Sequence, residues 1–166
     1  ANGMVTVRLI SILGAQNGRN AGTWGNAGAF SLHPLKNLNV WSDGGVIVTD
    51  DDALNSSLRL LRNHGMMNRD EIEILGYNSR LDTIQAVVGN WLIPSTKDIS
   101  DRRIDNAAYY DKHLGKLNQV RIPWRPPDMR IVYHLYIVFA EDRDELLRYC
   151  VEKGIEAKVH YPVPLY

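Results

Sequence analysis

AFSLHPLKNLNVWSDGGVIVT, residues 29–49, decides how this chain reads. The apolar run GAFSLH at 28–33 suits a short strand. Pro34 ends regular pairing because it has no N–H to donate. SDGG at 42–45 is turn chemistry, and VIVT at 46–49 suits a second strand. Two strands therefore bracket a long loop with Lys36 in its middle, and such loops carry function more often than the elements they join. Ser31 and His33 stand just upstream, and Gly44-Gly45 permits close backbone approach. A lysine amine forms a Schiff base with an aldehyde when its setting favours the neutral amine. From residue types alone Lys36 is either that amine or an ordinary solvated loop lysine, and both readings stand.

Outward from this loop, TDDDALNSSLRLLRNHG at 49–65 predicts a helix: an aspartate cluster caps it, Leu54, Leu58 and Leu61 recur at helical spacing, and Gly65 is placed to stop it. MMNRDEIEILGYN at 66–78 reads as a polar loop. A second helix is expected from about Leu81 to Ile93, with Ile84, Val87, Val88 and Trp91 on one face and Pro94 at its end. A third is expected from Ile99 to Leu117, with Ile104, Ala107, Ala108, Leu114 and Leu117 available for packing. IPWRPPDMR at 122–130 is an extended linker. IVYHLYIVF at 131–139 is the strongest strand signal, DRDELLRYCVEKG at 142–154 a short capped helix, and IEAKVHYP at 155–162 a strand. At the other end, MVTVRLISIL suits a buried strand and GAQNGRNAG a loop. The expected division is a part covering 1–95 and a part covering 96–166.

Bulk composition excludes some functions. The 166 residues suit one ordinary domain. Nineteen basic residues balance nineteen acidic ones, so no global field attracts nucleic acid or an anionic membrane. Cys150 is the single cysteine and forms no internal disulfide, which fits a cytoplasmic setting. No apolar run reaches the roughly 18 residues that span a bilayer. No metal-ligand cluster is expected.

Five blocks, taken together, carry a resemblance. They are GTWGNAGAFSLHPLKNLNVWSDGGVIVTDD at 22–51, RLLRNHG at 59–65, GYNSRLDTIQAVVG at 76–89, YHLYIVF at 133–139 and GIEAKVHYPVPLY at 154–166. In this order and spacing they resemble the DegT/DnrJ/EryC1/StrS family of pyridoxal-phosphate sugar aminotransferases, over residues 18–166. The resemblance implies an α/β chain, a partial fold type I aminotransferase, with part of the large-domain sheet followed by a small α/β C-terminal layer. It implies that Lys36 forms the Schiff base with pyridoxal 5'-phosphate and shuttles the substrate proton. Ser31 matches a hydroxyl that binds the cofactor phosphate. Asn78 resembles the asparagine that reaches a neighbouring subunit's phosphate. His33, Arg80, His160 and Tyr161 fall in motifs near the active-site mouth; a simple Arg80–Asp82 pair and a packed strand histidine at 160 are the plain alternatives. One branch of the family carries histidine in place of this lysine and dehydrates its substrate, so Lys36 favours amination. The implied acceptor is a keto-sugar, as in nucleotide sugars or the related 8-amino octulosonate, the usual donor is glutamate, and the assembly is a homodimer with shared sites.

The resemblance also sets an expectation of incompleteness. Family members carry an aspartate that pairs with the pyridinium nitrogen just upstream of the lysine block. Here VTVRLISILGAQNG at 5–18 contains no acidic residue. Residues 1–17 are expected not to match, and the whole is expected to be the central fragment of such an enzyme. An inactive chain that serves only in assembly is therefore the competing reading. A nucleic-acid-binding regulator is a third, disfavoured by the charge balance.

Overall fold

The computed structural model describes residues 7–10 and 12–163, with side chains described from Ile12 onward. The chain divides into two compact units. One comprises 1–105 with 126–134, and the other 106–125 with 135–166.

In the first unit, strand β1 (Val7–Ile10) runs parallel to β4 (Ala27–Ser31), with Val7 opposite Ala27. Strand β5 (Gly45–Val48) pairs antiparallel with β4 on its other side, Ser31 opposite Gly45. The sheet order is β1-β4-β5, and the two strands expected around Lys36 are neighbours in it. Between β1 and β4, the segment read as loop forms a hairpin of β2 (Ala15–Gln16) and β3 (Arg19–Asn20). Asn17 and Gly18 both take positive φ, as the two-residue turn of a tight hairpin requires. Strand β7 (Met129–Arg130) pairs with β2, and Arg130 donates to Asp101 at 2.7 Å.

Helix α1 (Asp52–Leu61) begins where expected. The Asp51 carboxylate accepts from Leu54 N at 3.0 Å, Asp52 sits in the first turn and Arg59 in the last. From Arg62 to Arg80 the chain forms an irregular hairpin rather than an unstructured loop. His64 N donates to Tyr77 O, Ser79 N to Arg62 O and Glu73 N to Gly65 O. Helix α2 (Thr83–Leu92) follows, and the Gln85 side chain accepts from Asp82 N at 3.2 Å to close its first turn. Pro94 does not end the helical path. It lies in a 3-10 turn, Ile93–Ser95, that leads into α3 (Thr96–Leu114).

The core of this unit is Leu32, Leu38 and Val40, with Ile12, Leu81 and Leu92 packed against it. Helix α2 therefore turns Val88, Gly89 and Leu92 inward, with Leu81 just before its start. Ile84, Val87 and Trp91, expected inside with Val88, are 70%, 62% and 73% exposed. On α3, Ala107 is buried but Ala108 is exposed, and Leu117, expected on this helix, lies exposed beyond its end at Leu114.

The second unit holds β6 (Val120–Arg121) paired antiparallel with β8 (Phe139–Ala140), and α4 (Arg143–Glu152) against β8. Two expectations fail along the chain. IVYHLYIVF contributes only its last residue to a strand. Tyr133 takes φ +44°, which breaks an extended run, and side chains rather than a ladder satisfy its carbonyls. Arg103 donates to Tyr133 O and His134 O at 3.1 Å each. IEAKVHYP forms no strand among the described residues. Helix α4 exists, but the Asp142 side chain makes no cap bond.

Candidate active site

The loop from Leu32 to Gly44 is a built object. Leu32 N donates to Gly44 O and Val40 N to Leu32 O, so its two ends are tied across the β4–β5 mouth. A Cβ on Gly44 would lie 2.8 Å from Leu81 Cδ1 and 2.9 Å from Val40 Cγ2, so no larger residue fits there without a shift. Gln85 Nε2 donates to Asp43 O at 2.9 Å and fastens the loop exit to α2.

Three of the expected site residues come together at the loop entrance. Ser31 is the last residue of β4, and its Oγ accepts from His33 N at 3.3 Å. His33 Nδ1 accepts from Leu35 N at 3.2 Å, which fixes the ring's acceptor nitrogen inward on its own turn. Lys36 N donates to His33 O at 2.8 Å, and Lys36 O accepts from Asn39 Nδ2 at 3.3 Å. Both backbone groups of the lysine are thus held, while its side chain is half-buried. Residue 37 is buried outright: Asn37 Nδ2 donates to Ser100 Oγ at 3.0 Å and to Val132 O at 2.8 Å.

Asn78 and Arg80 form a second group. Arg80 Nε donates to Asn78 Oδ1 at 3.2 Å and its NH1 to Asn63 Oδ1 at 3.3 Å. These bonds replace the plain Arg80–Asp82 pairing. They also turn the Asn78 NH2 away from Arg80, free to donate elsewhere. A cavity of about 460 Å³ joins this group to the loop exit: Trp41, Asp43, Arg80, Asp82 and Ile84 line it. Lys36 does not line this cavity. His160 and Tyr161 belong to the second unit, both exposed, with ring centroids 3.9 Å apart; His160 is not on a strand.

Sequence reasoning passed over Asn37, Ser100 and Asn63. Asn37 stands between Lys36 and the core residue Leu38, and nothing local marks it as buried; its partners lie 63 and 95 residues away.

The sequence profile of the DegT/DnrJ/EryC1/StrS aminotransferase family matches residues 12–166. The chain belongs to this family. The match begins before residue 18, so residues 12–17 share the family pattern. The chain is 40% identical over 149 residues to a dTDP-3-amino-3,4,6-trideoxy-alpha-D-glucose transaminase of Streptomyces venezuelae, covering 90% of this chain and 39% of that protein. It is 38% identical over 153 residues to a UDP-N-acetyl-3-dehydro-alpha-D-glucosamine 3-aminotransferase of Acidithiobacillus ferrooxidans, covering 92% and 41%. A crystal structure of a family aminotransferase from Brucella abortus superposes with a TM-score of 0.91 at 30% identity, over 97% of this chain and 43% of that one. The fold is thus part of the fold type I aminotransferase fold, and the chain spans about two fifths of the length of the curated relatives it matches.

The donor set fits one end of the family's cofactor. Lys36 offers a primary amine on a pinned turn. Ser31 Oγ accepts from His33 N and keeps its own proton to donate, and the Asn78 NH2 is available. These suit an aldehyde and a phosphate. For a ring nitrogen the segment before Asp43 offers no acidic side chain. Among the described residues no helix is long and apolar enough to cross a membrane, and no group of three or more His, Cys, Asp or Glu is placed to hold a metal ion.

Proposed function

We propose that this chain carries the lysine-bearing segment of a pyridoxal-phosphate-dependent aminotransferase that moves an amino group from an amino-acid donor, glutamate, to a keto-sugar in bacterial polysaccharide or antibiotic sugar biosynthesis. The observation that carries the reading is the Lys36 turn, with both backbone groups of the lysine bonded and Ser31 at its entrance. Bound there, the cofactor would supply an electron-withdrawing ring that makes the hydrogen on the amine-bearing carbon acidic. Lys36 Nζ takes that proton and returns it. Ser31 Oγ holds the phosphate by donating its hydroxyl proton. Asn78 Nδ2 donates to the phosphate in a neighbouring subunit. His33, Arg80, His160 and Tyr161 contribute to sugar recognition, Arg80 also by holding Asn78 in place.

We assign residues 1–95 to the cofactor-binding domain and 96–166 to a long helix and the start of a small domain. The setting is cytoplasmic, and the partner is a second copy sharing its sites, with no nucleic acid or membrane involved. Support for association comes from the large apolar side chains left in water: Leu35, Trp41, Ile84 and Trp91 are each more than 60% exposed.

Titration with pyridoxal phosphate tests the reading. A visible absorbance band is expected in the intact chain and absent in Lys36→Ala. Absence of the band in the intact chain removes the catalytic reading. The second reading, an inactive chain that serves in assembly, is favoured by the same exposed apolar side chains.

A further inference from the structure

We propose that Asn37 is the positioning residue of Lys36: one buried amide bolts the lysine loop to α3 and to the segment after β7, and so sets where the lysine side chain leaves the backbone. The proposal rests on the reading of Lys36 above.

Hydrogen-bond bookkeeping fixes the amide's orientation. Val132 O only accepts. Ser100 has one hydroxyl proton, and it goes to Thr96 O at 2.9 Å. Ser100 Oγ therefore accepts from Asn37, and both contacts of Asn37 come from its NH2. The anchor points are themselves buried: Ser100 is 0% and Thr96 4% exposed, against 4% for Asn37. Among the described residues, no other side chain of the loop makes a hydrogen bond outside it. Asn39 bonds only within the turn, to Lys36 O, while Leu38 and Val40 hold the loop by packing, which tolerates sliding in a way that two directed bonds do not.

The choice of residue is poor for stability and good for geometry. Asn37 Oδ1 is buried and has no hydrogen-bond partner among the described residues. An acceptor left in that state weakens the fold. An apolar side chain would avoid the cost, but it would supply no donor to Ser100 or Val132. A carboxylate of the same shape would face Val132 O with no proton to give.

The test compares Asn37→Asp, Asn37→Leu and Ser100→Ala with the intact chain, each checked for folding by circular dichroism and thermal melting. Two probes are read. The first is pyridoxal phosphate alone, followed by its Lys36-dependent absorbance band. The second needs no cofactor: trace acetylation of Lys36 relative to exposed Lys116, by mass spectrometry over about pH 7 to 10. The Asn37 variants are expected to weaken the apparent Kd about tenfold and to change the Lys36:Lys116 labelling ratio more than about twofold. Ser100→Ala, which keeps the Val132 bond, is expected to move both readouts in the same direction by less. Folded Asn37 variants that match the intact chain in both probes overturn the proposal. If the Asn37 variants do not fold, an unchanged labelling ratio in Ser100→Ala overturns it. If the intact chain shows no band, the cofactor reading fails, and the labelling profile alone decides whether Asn37 positions Lys36.

Discussion

Removing the hydroxyl of Tyr136 should abolish a loss of stability between about pH 10 and pH 12. In the second unit Tyr136 OH donates to Asp111 Oδ1 at 2.7 Å, and Arg125 contacts both oxygens of the same carboxylate at 3.3 Å. Tyr110 packs on the Tyr136 ring at 5.0 Å between centroids. Burial first, then the hydrogen bond and charge of Asp111, push the phenol from 10.0 up to about 12. The folded state thus holds the proton more tightly than the unfolded state. The contribution is fully present below about pH 10 and is lost as pH rises through about 12. Two pH units correspond to about 2.7 kcal/mol as a ceiling. The ring is only partly buried, and solvent screening lowers the expected effect to about 1 kcal/mol. Urea denaturation of the intact chain and of Tyr136→Phe, in steps from about pH 8 to pH 11.5, isolates it, because other tyrosines and lysines titrate equally in both. The two stability curves should converge as pH rises. Curves that stay parallel across the range refute the argument. An absorbance titration of the phenolates gives a second check: one tyrosine should ionise late in the intact chain, and that late step should vanish in Tyr136→Phe.

Asp51→Ala should lower stability by about 1 kcal/mol, since it removes the oxygen that caps α1 at Leu54 N; a urea melt reads the change. Gly65→Ala should cost more than about 2 kcal/mol, because Gly65 takes φ +72° and a Cβ would lie 1.7 Å from Ile74 O; hydrogen exchange should rise first at the Gly65–Ile74 contact. Arg80→Ala should release the Asn78 and Asn63 amides and raise exchange over 62–80 with little change in overall melting, as expected for exposed bonds worth about 1 kcal/mol or less.

The sequence was readable where the ordering information is local. Helix α1 announces itself by Asp51, Asp52 and the leucine spacing, and the structure uses each. The Lys36 loop is equally plain, since strands β4 and β5 that bracket it are adjacent in chain and in sheet. Reading failed where a partner distant in sequence decides. IVYHLYIVF has every strand propensity, yet its carbonyls go to Asn37 and Arg103, side chains no local window contains. The Asn17-Gly18 turn was visible as residues, but strands of two residues on either side are too short to show alternation.

The face of α2 shows a different kind of failure. TIQAVVGNWL is apolar on more than one side, so no single stripe points inward. Spacing then permits two choices of face, and sequence reasoning took Ile84, Val87 and Trp91. The deciding term is shape. Leu81 and Leu92 pack with the Leu32–Leu38–Val40 core, and Gly44 leaves Leu81 the space to do so. A row that includes Gly89 lets the helix backbone come close to Val40, whereas a row carrying Trp91 would hold it off. Close approach of α2 brings Gln85 within reach of Asp43 O and closes the loop exit, while Asn37 closes its middle. The order around Lys36 is therefore assembled from three directions, only one of which lies in the stretch of chain that contains it.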